Sequence, residues 1–360
     1  MSLRDLRTIL EGSGPFLSVY LGTDGSVETA SARSEQRWKT LRSHLADEGA
    51  ADPALALVDP LVADAHMQGA VLAVVATQSE RLLTDHLGDP IDRDRALWGA
   101  LPDLAPLVRW RQNQIPFVTA LADRGGADLA AFGARPDQPE AQTVGEGEPA
   151  RKVSPGGWSQ PRFQQRAEND WRDTAGEVAA ELAKLAEAVD ARVVILGGDV
   201  RATHLIRDGL PGNLADRVHL IEHGRAADGS EDFRQKEIHR LVATAVAEDT
   251  VELLEKFKEE LGQHDRAVEG ADATVQALSR AAVDVLLVPD AVDDRHVWVA
   301  RDPFRLSFDR GAVASDERQK ARLIDALIAA AIATDASVRI VPSAGPVRGG
   351  IGALLRWSEP

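Results

Sequence analysis

The feature that most constrains the fold is an apolar repeat near the middle of the chain. Trp171, Ala175, Val178, Ala179, Leu182, Leu185, Ala186 and Val189 recur at i, i+4, i+7, i+8, i+11, i+14, i+15 and i+18. At 3.6 residues per turn they form one continuous stripe on a helix. A helix with such a face needs a layer to lie on, and the following residues supply it. Arg192-Val193-Val194-Ile195-Leu196 reads as a buried strand ending at Gly197-Gly198-Asp199; a short helix from about Val200 to Arg207 and a strand from Val218 to Glu222 come next. Strand, glycine turn, helix, strand is the unit of a largely parallel sheet. Upstream, Phe117 to Ala122 and Asp128 to Phe132 flank Gly125-Gly126, a hairpin signal. The polar, Pro/Gly/Glu-rich stretch from Ala134 to Pro149 is expected at the surface.

Two further α/β segments flank this one. In the first, Leu3, Leu6 and Leu10 share a face of a short helix ended by Gly12 and Gly14; Phe16 to Leu21 reads as a strand, Ser31 to Ala46 as a helix and Ala70 to Ala76 as a buried strand. The Ser31 to Ala46 helix carries Arg33, Arg37, Lys39 and Arg42 with Trp38. A solvated face with Trp38 in the core is the simpler reading, and direct RNA contact is the alternative. Pro102 and Pro106 break any long helix between Leu97 and Arg111, which sets a boundary near Asn113. Beyond the middle segment, a charged helix from about Phe233 to Glu260 has Val251, Leu254, Phe257, Lys258 and Leu261 on one stripe. Then follow a helix (Ala273 to Ala281), strands at Val283 to Val288 and His296 to Ala300, a helix from Asp316 to Thr334, and strands at Ser337 to Val341 and near Leu354 to Trp357. The expected architecture is α/β in three domains, 1–112, 113–246 and 247–360, the last a compact α/β/α sandwich.

The chain has 360 residues, a formal net charge of −16 and no cysteine, which excludes disulfides and thiolate metal sites. No run reaches the length of a membrane-spanning helix, and charges occupy the amino terminus where a signal peptide needs an apolar core. A cytoplasmic protein with no membrane partner is expected. Against this acidity, residues Ala150 to Ala167 hold Arg151, Lys152, Arg162 and Arg166 and no acid. At their centre stand Gly156-Gly157-Trp158-Ser159. Adjacent glycines let a main chain approach a ligand closely. Arginines attract phosphates and an indole accepts unstacked bases, so this tip suits structured RNA. Screening confines charge interactions to about 8–10 Å at physiological salt, so a basic tip can bind RNA although the body is acidic.

The pattern Gly-Gly-x-Ser-x-x-Arg-Phe-x-x-Arg on Gly156, Gly157, Ser159, Arg162, Phe163 and Arg166 resembles the central loop of archaeal and eukaryotic class I peptide-chain release factors. In those release factors, whose superfamily also includes Pelota-like proteins, a Gly-Gly-Gln tip enters the ribosomal peptidyl transferase centre and promotes peptidyl-tRNA hydrolysis. Trp158 replaces the glutamine here. The chain looks most like the bacterial branch with the Balon-type ribosome hibernation factors and their mycobacterial relatives. A second match lies at Gly349 to Trp357. The resemblance implies a ribonuclease-H-like middle domain and a carboxyl-terminal domain that contacts a translational GTPase, elongation factor Tu or another. It implies as partner the 70S ribosome, through rRNA of the A site and the peptidyl transferase centre. The implied binding residues are Arg151, Lys152, Gly156, Gly157, Trp158, Ser159, Arg162 and Arg166. No match to the Asn-Ile-Lys-Ser loop used at stop codons occurs in the first segment.

Trp158 separates occupancy from catalysis. Hydrolysis needs a held water and donors aimed at an oxyanion, whereas indole offers one N–H donor and much bulk. The expected function is therefore translation inactivation during stress by occupying the vacant A site, with no catalytic residue, cofactor or metal. The alternatives are a peptidyl-tRNA hydrolase that rescues ribosomes, and a protein-binding module acting away from the ribosome. A two-metal nuclease built on Asp123, Asp128 and Asp199 is a further reading, although turn aspartates are usually caps. His219 and His223 lie some 13 Å apart on a strand and imply no zinc. Gly197-Gly198-Asp199 lacks nucleotide-loop spacing.

Overall fold

The structure is a computed structural model that describes residues 4–12, 14–23, 30–63, 65, 69–88, 91–123, 126–133, 140–144, 160–222, 231–291, 293–300, 305–313, 318–343, 345 and 347–358. Along the first part run α1 (Arg4–Leu10), β1 (Phe16–Gly22), α2 (Ala30–Asp47), α3 (Asp52–Ala56), α4 (Asp59–Val62), β2 (Val71–Ala76), β3 (Arg81–Leu87), β4 (Arg95–Gly99) and α5 (Ala105–Asn113). The middle has β5 (Phe117–Ala122), β6 (Ala127–Phe132), β7 (Glu140–Val144), α6 (Gln160–Val189), β8 (Val193–Gly198), α7 (Val200–Gly209), α8 (Gly212–Ala215), β9 (Val218–Ile221) and α9 (Glu231–Gln263). The last part has β10 (Ala267–Glu269), α10 (Ala271–Ser279), β11 (Val283–Pro289), β12 (His296–Val299), β13 (Leu306–Ser307), β14 (Gln319–Arg322), α11 (Leu323–Ala333), β15 (Ser337–Val341) and β16 (Gly352–Leu355). The mixed α/β class expected from the sequence is the class observed.

The chain forms two compact units, one of residues 1–112 with 251–360 and one of residues 113–250. In the first, an antiparallel sheet of order β3-β2-β1-β4 has β1 and β2 buried on both faces. Leu17, Val19 and Leu21 pack against Trp38 and Leu45 of α2. The alternate residues Phe16 and Tyr20 join a cluster that runs through Leu6 and Leu107 to Leu278, Leu286 and Leu327. This period-2 division is what a sheet with two covered faces requires. A second sheet has the order β10-β16-β11-β15, with β11 and β15 parallel, and a third, antiparallel, has the order β13-β12-β14. Helix α11 is buried nearly all round. Each large apolar side chain so buried contributes about 1.5–3 kcal/mol.

In the second unit the sheet order is β7-β6-β5-β8-β9, with β5, β8 and β9 parallel and the β5–β6–β7 pairs antiparallel. Strand β8 alternates across it: Val194 and Leu196 pack with α6 and α7, while Val193 and Ile195 pack with Ile238 and Val246 of α9.

One local expectation changes. The helix expected over 316–334 begins at Leu323, because Gln319 to Arg322 pair with β12 as a strand and Arg322 is extended. Within the polar stretch expected at the surface, Glu140 to Val144 form the edge strand beside β6. Between Leu97 and Arg111 no long helix forms: the helix is the short α5, with Pro106 in its first turn, where a missing N–H costs little. Among the described residues no helix is long and apolar enough to cross a membrane.

Candidate functional site

Arg151, Lys152, Gly156, Gly157, Trp158 and Ser159 lie outside the described residues. Positions 162 and 166 fall one turn apart in the first part of α6, where only the backbone is described. The structure defines the base beneath them. From Ala175 onward the stripe on α6 is buried as its period dictates: Ala175, Val178, Ala179, Leu182 and Ala186 enter the core, and Leu185 and Val189 pack at its margin. Burial of this face fixes the helix that carries the basic segment.

The two central parallel strands end beside α6. At Gly198 φ is +116°, and a Cβ there would stand 1.9 Å from the carbonyl oxygen of Ala122, so the close approach of β5 and β8 requires glycine. The next residue, Asp199, caps α7: its Oδ1 accepts from the backbone N–H of Arg201 at 3.0 Å and of Ala202 at 3.1 Å. Asp123 closes the β5–β6 turn, its Oδ1 accepting from the Gly126 N–H at 3.1 Å. Asp123, Thr174, Val178, Asp199 and Leu205 line a cavity of about 20 Å³. That is room for about one water.

Asp123 and Asp199 of the nuclease reading therefore hold a turn and a helix cap. Asp128 sits opposite Leu121 at the start of the hairpin's second strand. Among the described residues no three His, Asp or Glu side chains gather to hold a metal. His219 is on β9, and His223 lies outside the described residues. The glycines of the carboxyl-terminal match are structural: Gly350 has φ +71°, and a Cβ on it would meet Pro289 at 2.5 Å.

Two cations of α2, Arg37 and Arg42, are held by the fold. Trp38 is buried and donates its indole N–H to Asp59 Oδ1 at 2.8 Å. Arg42 reaches Asp59 at 3.2 Å, and Arg37 pairs with Asp94 at 3.6 Å and donates to the Gly22 carbonyl. Trp38 in the core is thus the correct reading.

Sequence reasoning missed a buried charged network in the first unit. Tyr20 donates to the backbone carbonyl of Asp103 at 2.6 Å, and the Asp103 N–H donates to Ser18 Oγ at 3.0 Å. The Asp103 carboxylate meets Arg95 at 3.0 Å and Arg322 at 3.4 Å, and Arg322 also meets Asp325 at 3.0 Å. Burial and the nearby Asp103 carboxylate push Asp325 up to about 8, against the pull of Arg322 and Arg95. Burial likewise holds the Tyr20 hydroxyl well above its ordinary range. A signal existed: Asp325 is the one charge in Leu323-Ile324-Asp325-Ala326-Leu327-Ile328, and a carboxylate inside an apolar helix needs a partner.

Comparison with known proteins bears on the second unit most directly. The family model described as Bacterial archaeo-eukaryotic release factor family 2 matches residues 116–263. Over the whole length, an uncharacterized protein of Mycobacterium tuberculosis strain H37Rv, Rv2629, is 28% identical, with 98% of this chain and 96% of that one covered. Among solved structures, Archaeoglobus fulgidus Pelota is 16% identical over 99% of this chain and 92% of its own, with a TM-score of 0.38. An archaeal Pelota from a model of a ribosome-bound complex is 14% identical over 99% and 94%, with a TM-score of 0.43. The family match covers the sheet, α6 and α9, and over these elements the chain is similar to release-factor-like proteins of the bacterial branch.

Proposed function

We propose that the protein binds the bacterial ribosome at a vacant A site and plugs the peptidyl transferase centre with Gly156-Gly157-Trp158, without hydrolysis. The observation that carries this reading is the release-factor family match over residues 116–263, which includes a basic tip bearing Trp158. In the proposed complex Arg151, Lys152, Arg162 and Arg166 neutralise rRNA phosphates. The glycines let the main chain pass closely, and the indole stacks where a substrate would sit. One N–H donor and no comparable acceptor leave Trp158 unable to hold a hydrolytic water. The segments 1–112, 113–246 and 247–360 act as three functional domains, the last meeting elongation factor Tu or another translational GTPase. This is a hibernation role of the Balon type, exercised in the cytoplasm under stress.

Competition with a fluorescent puromycin analogue on vacant 70S ribosomes tests the plug. Wild type is expected to displace the analogue and Trp158→Ala to leave it bound. Retention of the analogue by ribosomes saturated with wild type overturns the plug. Peptide release from peptidyl-tRNA by wild type, lost in Trp158→Ala, would assign a hydrolase instead.

A further inference from the structure

The small sheet β13-β12-β14 has one face turned to the core and one to solvent. Val297, Val299, Leu306 and Ala321 are buried. Trp298 is half-buried and stands directly opposite Ser307 on β13 and Lys320 on β14, so these three share the outer face. The guanidinium of Arg310 lies over the Trp298 ring, 5.2 Å from its centroid. Arg318 donates to the Arg310 carbonyl at 3.2 Å, which brings a third cation to the same place. Among the described residues no carboxylate pairs with Arg310, Arg318 or Lys320. Asp309 turns its carboxylate onto the Gly311 N–H at 2.8 Å. Residues 296–322 carry six Lys/Arg against four Asp/Glu, in a chain of net charge −16. At the short range that screening allows, a cationic face on so acidic a protein repels basic surfaces and attracts polyanions.

We propose that this face binds single-stranded RNA, a base stacking on the Arg310 guanidinium that Trp298 supports while Arg318 and Lys320 meet the flanking phosphates. Arginine planes and aromatic rings are the surfaces on which unpaired bases stack, and such stacking tolerates any sequence. The indole beneath Arg310 holds its plane in place, which lowers the ordering cost of the contact. The face is distinct from the basic tip near Trp158 and does not depend on the ribosomal reading.

The test is fluorescence anisotropy of a labelled oligouridylate with the full chain, in a Trp158→Ala/Arg162→Glu/Arg166→Glu background that removes the tip. Added Arg310→Glu/Lys320→Glu is expected to weaken binding at least about tenfold and, through the one phosphate contact of Lys320, to lower the slope of log affinity against log salt by about 0.7. Arg310→Lys alone should lose the stacking part and keep the slope. Thermal unfolding of these exposed-site variants should stay unchanged. Equal binding by the parent and the Arg310→Glu/Lys320→Glu protein, or no binding by the parent at low salt, overturns the proposal. A polyglutamate peptide bound more tightly than RNA through the same side chains would also overturn it, by making the partner an acidic protein.

Discussion

Strand β14 puts two cations, Lys320 and Arg322, two residues apart into opposite circumstances. Arg322 is held between Asp103 and Asp325, both only 2% exposed, in a network that also contains Arg95 and Tyr20. Lys320 is exposed beside Trp298, and among the described residues it has no carboxylate partner. What stands opposite a cation decides its role. The first joins residues 1–112 to residues 251–360 within one unit; the second is left for a ligand. Arg37 and Arg42 of α2 belong with Arg322, since Asp94 and Asp59 neutralise them.

If that division is right, substitutions on the two sides should separate stability from binding. Asp103→Ala strips Arg95 and Arg322 of a buried partner and should cost about 3–5 kcal/mol, read as a lower urea midpoint for the unit that contains it. A loss below about 1 kcal/mol would place the network among ordinary surface pairs. Next in size is the pH dependence at Asp325. Its folded value, about 8, lies above the unfolded carboxylate value, so folding favours the proton. The stability it contributes is complete below about pH 4 and is lost as pH rises to about 8. Asp325→Asn should flatten this fall in urea midpoints between pH 5 and 8. A wild-type midpoint that rises over that range would instead mean that Arg322 keeps Asp325 ionised. Tyr20→Phe leaves the Asp103 carbonyl without its donor and should cost about 1–2 kcal/mol, measured in the same way. Smallest of all, Lys320→Glu should change stability by less than about 0.5 kcal/mol while weakening oligonucleotide binding.

The same distinction explains what was legible in the sequence. The α6 stripe and the parallel unit after it could be read because helix period and strand length are local properties. Strands β3 and β4 escaped notice: Arg81 to Leu87 and Arg95 to Gly99 are mostly half-buried and carry no clean alternation. Their identity comes from pairing with β2 and β1. Only its register with β12 marks β14 as strand, so the segment from 319 reads as the start of the following helix. The charged network joins residues far apart in the chain, so no window holds both Asp103 and Arg322. For the candidate site, the sequence supplies residues 151 to 159, and the structure describes the helix that follows them in the chain.

Ribosome binding through the basic tip is tested most directly by co-sedimentation with vacant 70S ribosomes across a salt series, comparing wild type with Trp158→Ala and with Arg162→Glu/Arg166→Glu. Saturable binding that falls steeply with salt and is weakened by both sets of changes is the expected result. Absence of binding at low salt, or binding indifferent to Trp158, Arg162 and Arg166, would contradict it.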